Sequence, residues 1–131
     1  VVPVEAPHTL TYTLDVAAAM ATLAEAPDDA YGRWWPVPSG PAIPARETTK
    51  HLSKALGREI RVNVIPTFIR KGLGLFMPML RELDEMMPSW QSPYVLDDRS
   101  FRERFGVKHT PIEQAAEASV AWAREHYARK K

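Results

Sequence analysis

Cysteine is absent from this chain, which removes disulfides, thiolate metal sites and thiol nucleophiles together. The absence fits a reducing compartment, so a cytoplasmic location is expected. Charge of one sign is missing as well: 17 Lys and Arg against 16 Asp and Glu leave a formal +1. Without a basic excess, neither nucleic acid nor a membrane surface is expected as a partner. No apolar run reaches the roughly 18 residues that span a bilayer, and no stretch has the layout of a cleavable leader. The six glycines are scattered. Gly72-Leu73-Gly74 lacks both the preceding strand and the further glycine of a dinucleotide turn, so cofactor binding by this chain alone is not expected.

The usual carriers of chemistry are also dispersed. His8, His51, His109 and His126 are not paired closely enough to suggest a metal site. No serine occupies a nucleophile-elbow pattern, and Glu82, Asp84 and Glu85 read as the solvated side of a helix. The sequence therefore names no catalytic residue.

What is present is an average globular composition, 45% hydrophobic and 25% charged over 131 residues, which predicts one domain spanning 1–131. The twelve prolines are spread out and mark the ends of elements. Val1 to Glu5 and Thr9 to Thr13 are β-branched and read as strand pieces. Asp15 suits an N-cap for a helix from Val16 to Ala26, with Val16, Met20 and Leu23 on its inner stripe. Arg33 to Pro38 reads as a strand. A helix follows from Pro44 with Ala45, Thr48, Leu52 and Leu56 inward, and Gly57 stops it. Ile60, Val62 and Val64 alternate with polar residues as a strand would. Strand, helix and strand in this order predict an α/β fold, a small parallel-strand βαβ unit with several packed helices.

Pro66 to Pro88 reads as mostly helical, with a second helix beginning at Pro78. Its Phe76, Met79, Leu80, Leu83, Met86 and Met87 form a wide apolar face, with methionines suited to an adaptable cover over an apolar ligand. Asp97 or Asp98 caps a short helix that stacks Phe101 on Phe105 and closes at Gly106. Thr110-Pro111-Ile112-Glu113 combines a capping box with proline at the first helical position. The terminal helix turns Ile112, Ala116, Ser119, Ala123 and Tyr127 inward.

Taken in order, PHTLTYTLDVAAAMATLAEAP, GRWWPVPSGPAIPARETTKHLSKALG, SPYVLDDRSFRERFG and TPIEQAAEASVAW resemble the carboxyl-terminal, substrate-binding half of an extended short-chain dehydrogenase/reductase of the NAD-dependent epimerase/dehydratase family. The resemblance covers nearly the whole chain. It implies a fragment of a Rossmann-type fold whose cofactor-binding half is missing, and the start at Val1 without methionine is expected to be an internal one. The family's Tyr-x-x-x-Lys pair is absent apart from Tyr127 and Lys131, a spacing match at the terminus that reads as accidental.

The family resemblance also implies a site. Its diphosphate-binding arginines would stand where this sequence has His8 and the Met86-Met87 pair, which are poor partners for a diphosphate. The implied substrate is therefore a small, apolar carbonyl or alcohol rather than a nucleotide sugar. It would be lined by His8, Trp35, Phe76 and Met86, with Arg46 and Arg81 available to an anionic group. NAD or NADP would act in the full-length enzyme, bound by the missing N-terminal Rossmann half, and a homodimer is an admissible state. The fragment alone is expected to be inactive. The alternative from another class is a free-standing α/β ligand-binding or protein-interaction module, docking a partner through the helix Met77 to Met87.

Overall fold

A computed structural model describes residues 5–63, 66, 68–69, 72 and 77–129, leaving aside the side chains of 78–81, 83 and 84. The described residues form a mixed α/β arrangement that is mostly helical. In chain order it contains β1 (Pro7–His8), α1 (Thr13–Ala24), a 3-10 turn (Asp28–Ala30), β2 (Ile43–Pro44), α2 (Ala45–Leu56), α3 (Pro78–Gln91), α4 (Arg99–Phe105) and α5 (Ile112–Ala128).

Among the described residues the expected parallel βαβ unit does not occur. β1 and β2 pair antiparallel, Pro7 with Pro44 and His8 with Ile43, and His8 also forms a parallel bridge with Tyr94. That bridge is closed by Thr9 N–H donating to the Tyr94 carbonyl at 2.8 Å and Tyr94 N–H donating to the Pro7 carbonyl at 3.0 Å. Arg33 to Pro38, expected as a strand, carries no ladder. Pro36 and Pro38 lack the N–H that a ladder needs, which removes two of the segment's donors. Ile60 to Asn63 is irregular as well, with Ile60 and Val62 exposed. Alternation of side chains makes a segment competent for a sheet, but an available partner edge decides whether a ladder forms. Val1 to Val4, Val64 and most of 65–76 lie outside the described residues.

Helix ends follow local chemistry more closely. α2 and α4 stop at Gly57 and Gly106, which adopt φ of 74° and 69°, a region costly for residues with a Cβ. α1 instead starts at Thr13, three residues earlier than expected, and so takes Asp15 into its first turn. Its inner stripe is correspondingly rotated: Asp15 and Ala19 are buried while Met20 is 65% exposed. Pro88 does not end α3, which continues to Gln91.

The closest helix packing joins α2 to α5. A second centre is aromatic. Trp35 meets Phe105 at 5.1 Å and Phe101 at 6.2 Å between ring centroids, and the two phenylalanines lie 4.8 Å apart. Phe101 is fully buried, the Trp35 indole N–H donates to the Ala30 carbonyl at 2.8 Å, and the Arg33 guanidinium covers the indole at 4.5 Å. Edge-on rings of this kind add specific geometry to their buried area.

Two buried carboxylates hold distant segments together. Asp98 accepts the Ser39 amide at 2.9 Å and the Arg102 Nε–H at 2.9 Å. Asp15 accepts from both the amide and the hydroxyl of Thr110. Neither aspartate caps its own helix through its side chain, and Thr110 makes no capping box with Glu113. A buried carboxylate needs donors to offset its desolvation, and these carboxylates find them across the fold.

Candidate functional site

A half-open concavity lies between α2 and the amino-terminal half of α5, bordered by residues 10–12 and by Gly40, Pro41 and Ile43. Its volume is about 500 Å³, in the range of pockets that hold small organic ligands. Leu10, Ile43, Leu52, Ile112, Ala115 and Ala116 make its apolar wall. Both helices expose their first turns to it. Each is entered through a proline, Pro44 before α2 and Pro111 before α5, which fixes φ for helix entry and removes one amide donor from the rim.

The polar groups converge at this same rim. Glu47, His51, His109 and Glu113 line it with Thr48 and Asp15. His51 Nδ1 stands 3.5 Å from Glu113 Oε1, with the imidazole largely shielded and the carboxylate half exposed. At that distance the pair makes an electrostatic contact rather than a hydrogen bond. Thr48 Oγ1 is shielded from solvent and has no hydrogen-bond partner among the described residues, an arrangement that ordinarily costs stability. His109 backs against Gly40, where an added Cβ would sit 3.8 Å from the imidazole Cδ2. No group of three or more histidines, aspartates and glutamates able to hold a metal occurs among the described residues.

The residues singled out in the sequence do not assemble here. His8 sits in β1, its Nε2 2.9 Å from the Ser92 carbonyl and its ring edge-on to Tyr94. Trp35 belongs to the aromatic centre with α4. Arg46 opens α2 and donates to Glu5 at 2.9 Å. It lines a separate, shallower groove of about 520 Å³ with Lys50, Glu59 and Arg61. Met86 is 49% exposed on α3. Phe76 and the Arg81 side chain lie outside the described residues. β1 and β2 bring His8 into the neighbourhood of the start of α2, and hence of Arg46.

The cleft residues had a partial signal. Thr48 and Leu52 share the predicted inner face of α2, and Ile112, Ala116 and Ser119 that of α5. What spacing could not show is that these two faces diverge enough to leave a cleft, or that His51 and Glu113 meet across it.

No described helix is long and apolar enough to cross a membrane. No family model, curated protein or solved structure matches the chain.

Proposed function

We propose that this chain is the substrate-binding part of an NAD(P)-dependent epimerase/dehydratase-like oxidoreductase acting on a small, apolar carbonyl or alcohol. The observation that carries the reading is the backbone of Arg33 to Pro38. It is anchored on one flank by Trp35 in the aromatic centre and by Asp98 at the Ser39 amide, yet its main chain makes no ladder among the described residues. Pro36 and Pro38 lack an N–H and the Ser39 N–H is held by Asp98, so the amides left for pairing after Arg33 are those of Trp34, Trp35 and Val37. A fixed segment with few free amides suits the outermost strand of a sheet supplied by other residues, which is the role of the missing Rossmann half. The juxtaposition of β1 with Tyr94 adds support, since the first and third of the family-like segments then meet.

Among the described residues, two of the glycines argue against a cofactor turn on this chain itself. Gly57 and Gly106, with positive φ, close the carboxyl ends of helices, whereas a pyrophosphate turn needs glycines that open a helix after a strand. The fragment's part is thus to shape and desolvate the substrate side. Hydride transfer belongs to the absent half, in a cytoplasmic enzyme for which a homodimer is an admissible state.

The test is the coding sequence upstream of Val1 and the protein it encodes. A glycine-rich strand-turn-helix and a Tyr-x-x-x-Lys pair should be found there, and the extended chain should bind NAD(P)H while these 131 residues do not. Tight NAD(P)H binding by the 131 residues alone contradicts the reading. A second reading, a ligand-binding module without catalysis, is favoured by one feature: the α2–α5 cleft, with an aliphatic wall and a polar rim, has a volume of about 500 Å³.

A further inference from the structure

We infer that the α2–α5 cleft is a binding site for a small amphipathic cation, an amine carrying an apolar body. The inference is independent of the oxidoreductase reading, because it concerns a concavity that none of the substrate residues implied by the family resemblance lines.

Shape and charge argue together. The wall is aliphatic over Leu10, Ile43, Leu52 and Ile112, so it removes apolar surface from water. At the rim stand the carboxylates of Asp15, Glu47 and Glu113, and no lysine or arginine lines the cleft. The opposing contribution is the three helix starts, those of α1, α2 and α5, each equivalent to roughly half a positive charge. Three full negative charges against about one and a half positive leave the cleft negative by roughly one and a half charges with neutral imidazoles. At the rim itself Pro44 and Pro111 lack an N–H and the Thr110 amide is already taken by Asp15, so the amide donors left there are those of the two first turns. An ammonium group seated between Glu47 and Glu113 keeps its apolar body against the aliphatic wall. Thr48, whose shielded hydroxyl has no partner among the described residues, belongs to the same wall.

The experiment compares three probes of similar shape at about pH 8, above the ordinary imidazole range: 2-phenylethylammonium, 2-phenylethanol and 3-phenylpropanoate. Binding is followed by amide chemical shifts. The ammonium probe should saturate, move the amides of His51, Thr110 and Glu113, and bind about tenfold more tightly than the alcohol. The carboxylate should bind most weakly. Glu47→Gln and Glu113→Gln should each weaken the ammonium probe about threefold and leave the alcohol unchanged, and the double variant should erase the preference. Raising the salt to about 1 M should shrink the preference in the wild-type protein. Both glutamates are exposed, so unchanged thermal melting of the variants separates lost charge from lost fold. Equal affinity for ammonium and alcohol, tighter binding of the carboxylate, shifts centred outside the cleft, or no saturable shift with the ammonium probe would each overturn the assignment. None of these outcomes bears on whether a Rossmann half is missing.

Discussion

Asp15 and Thr110 stand 95 positions apart in the chain, and two hydrogen bonds join them: the Thr110 amide donates to Oδ2 at 2.8 Å and its hydroxyl to Oδ1 at 2.6 Å. Each residue type is a favoured helix cap, and here the two pair with each other and cap neither helix through their side chains. The contact ties α1 to the entry of α5 and forms one corner of the cleft. Asp15→Ala should destabilise the protein by about 2 kcal/mol, the usual scale for hydrogen bonds to a charged group. Thr110→Val should cost a similar amount, since it leaves a buried carboxylate short of one donor. In a double-mutant cycle by urea denaturation the two losses should overlap by at least about 1 kcal/mol. Strict additivity would show that the contact is not formed.

Asp98 plays the corresponding part for the extended segment. Asp98→Ala removes the acceptor of the Ser39 amide and of Arg102, and a loss of about 2 kcal/mol is expected. Hydrogen exchange at the Ser39 amide should accelerate by more than the global destabilisation explains. An unchanged Ser39 amide would mean that the segment is held by its aromatic contacts alone.

The neighbouring tryptophans should behave oppositely. Trp35→Ala opens the aromatic centre and should cost about 3 kcal/mol. Trp34 is 82% exposed, and Trp34→Ala should stay within about 0.5 kcal/mol. Thermal unfolding of the two variants side by side decides whether Trp35 is chiefly structural. A Trp35→Ala protein of wild-type stability would return that residue to the substrate wall.

Gly57 and Gly106 have open space where a Cβ would be placed, so the cost of substitution there is conformational and not a clash. Gly57→Ala and Gly106→Ala should each destabilise by about 1–2 kcal/mol. Gly72, among the described residues also free of neighbours at its Cβ position, has no positive φ, and Gly72→Ala should cost nothing measurable.

Asp97 titrates unusually low. Its carboxylate accepts hydrogen bonds from the Arg99 side chain and then from the Arg99 amide, which hold its pKa at about 2 against an ordinary 3.8. The same pairing raises the pKa of Arg99. Because the folded value is depressed, the associated stability is fully present above about pH 4 and is lost as pH falls through about 2. The pair is exposed, so the effect on melting should be slight and salt-sensitive. Carboxyl NMR titration should place the midpoint near 2, and Arg99→Gln should return it toward 3.8. A midpoint already at the ordinary value in the wild-type protein would rule out the pairing in solution.

Helices, their glycine stops and part of the inward faces of α2 and α5 were legible in the residues, because each depends on neighbours within a turn or two; Ser119 and Tyr127, expected on the inward face of α5, are exposed. A positive φ at Gly57 or Gly106 and a proline at a helix entry are requirements met locally, whatever the rest of the chain does. The donors chosen by Asp15 and Asp98, the antiparallel pairing of β1 with β2, and the cleft where His51 faces Glu113 were not legible. A carboxylate or a strand edge is indifferent to sequence distance and is satisfied by whichever donors packing brings within about 3 Å. Only the folded chain could select those partners. The fold made that choice when it placed the start of α5 against α1 and the Ser39 amide against Asp98.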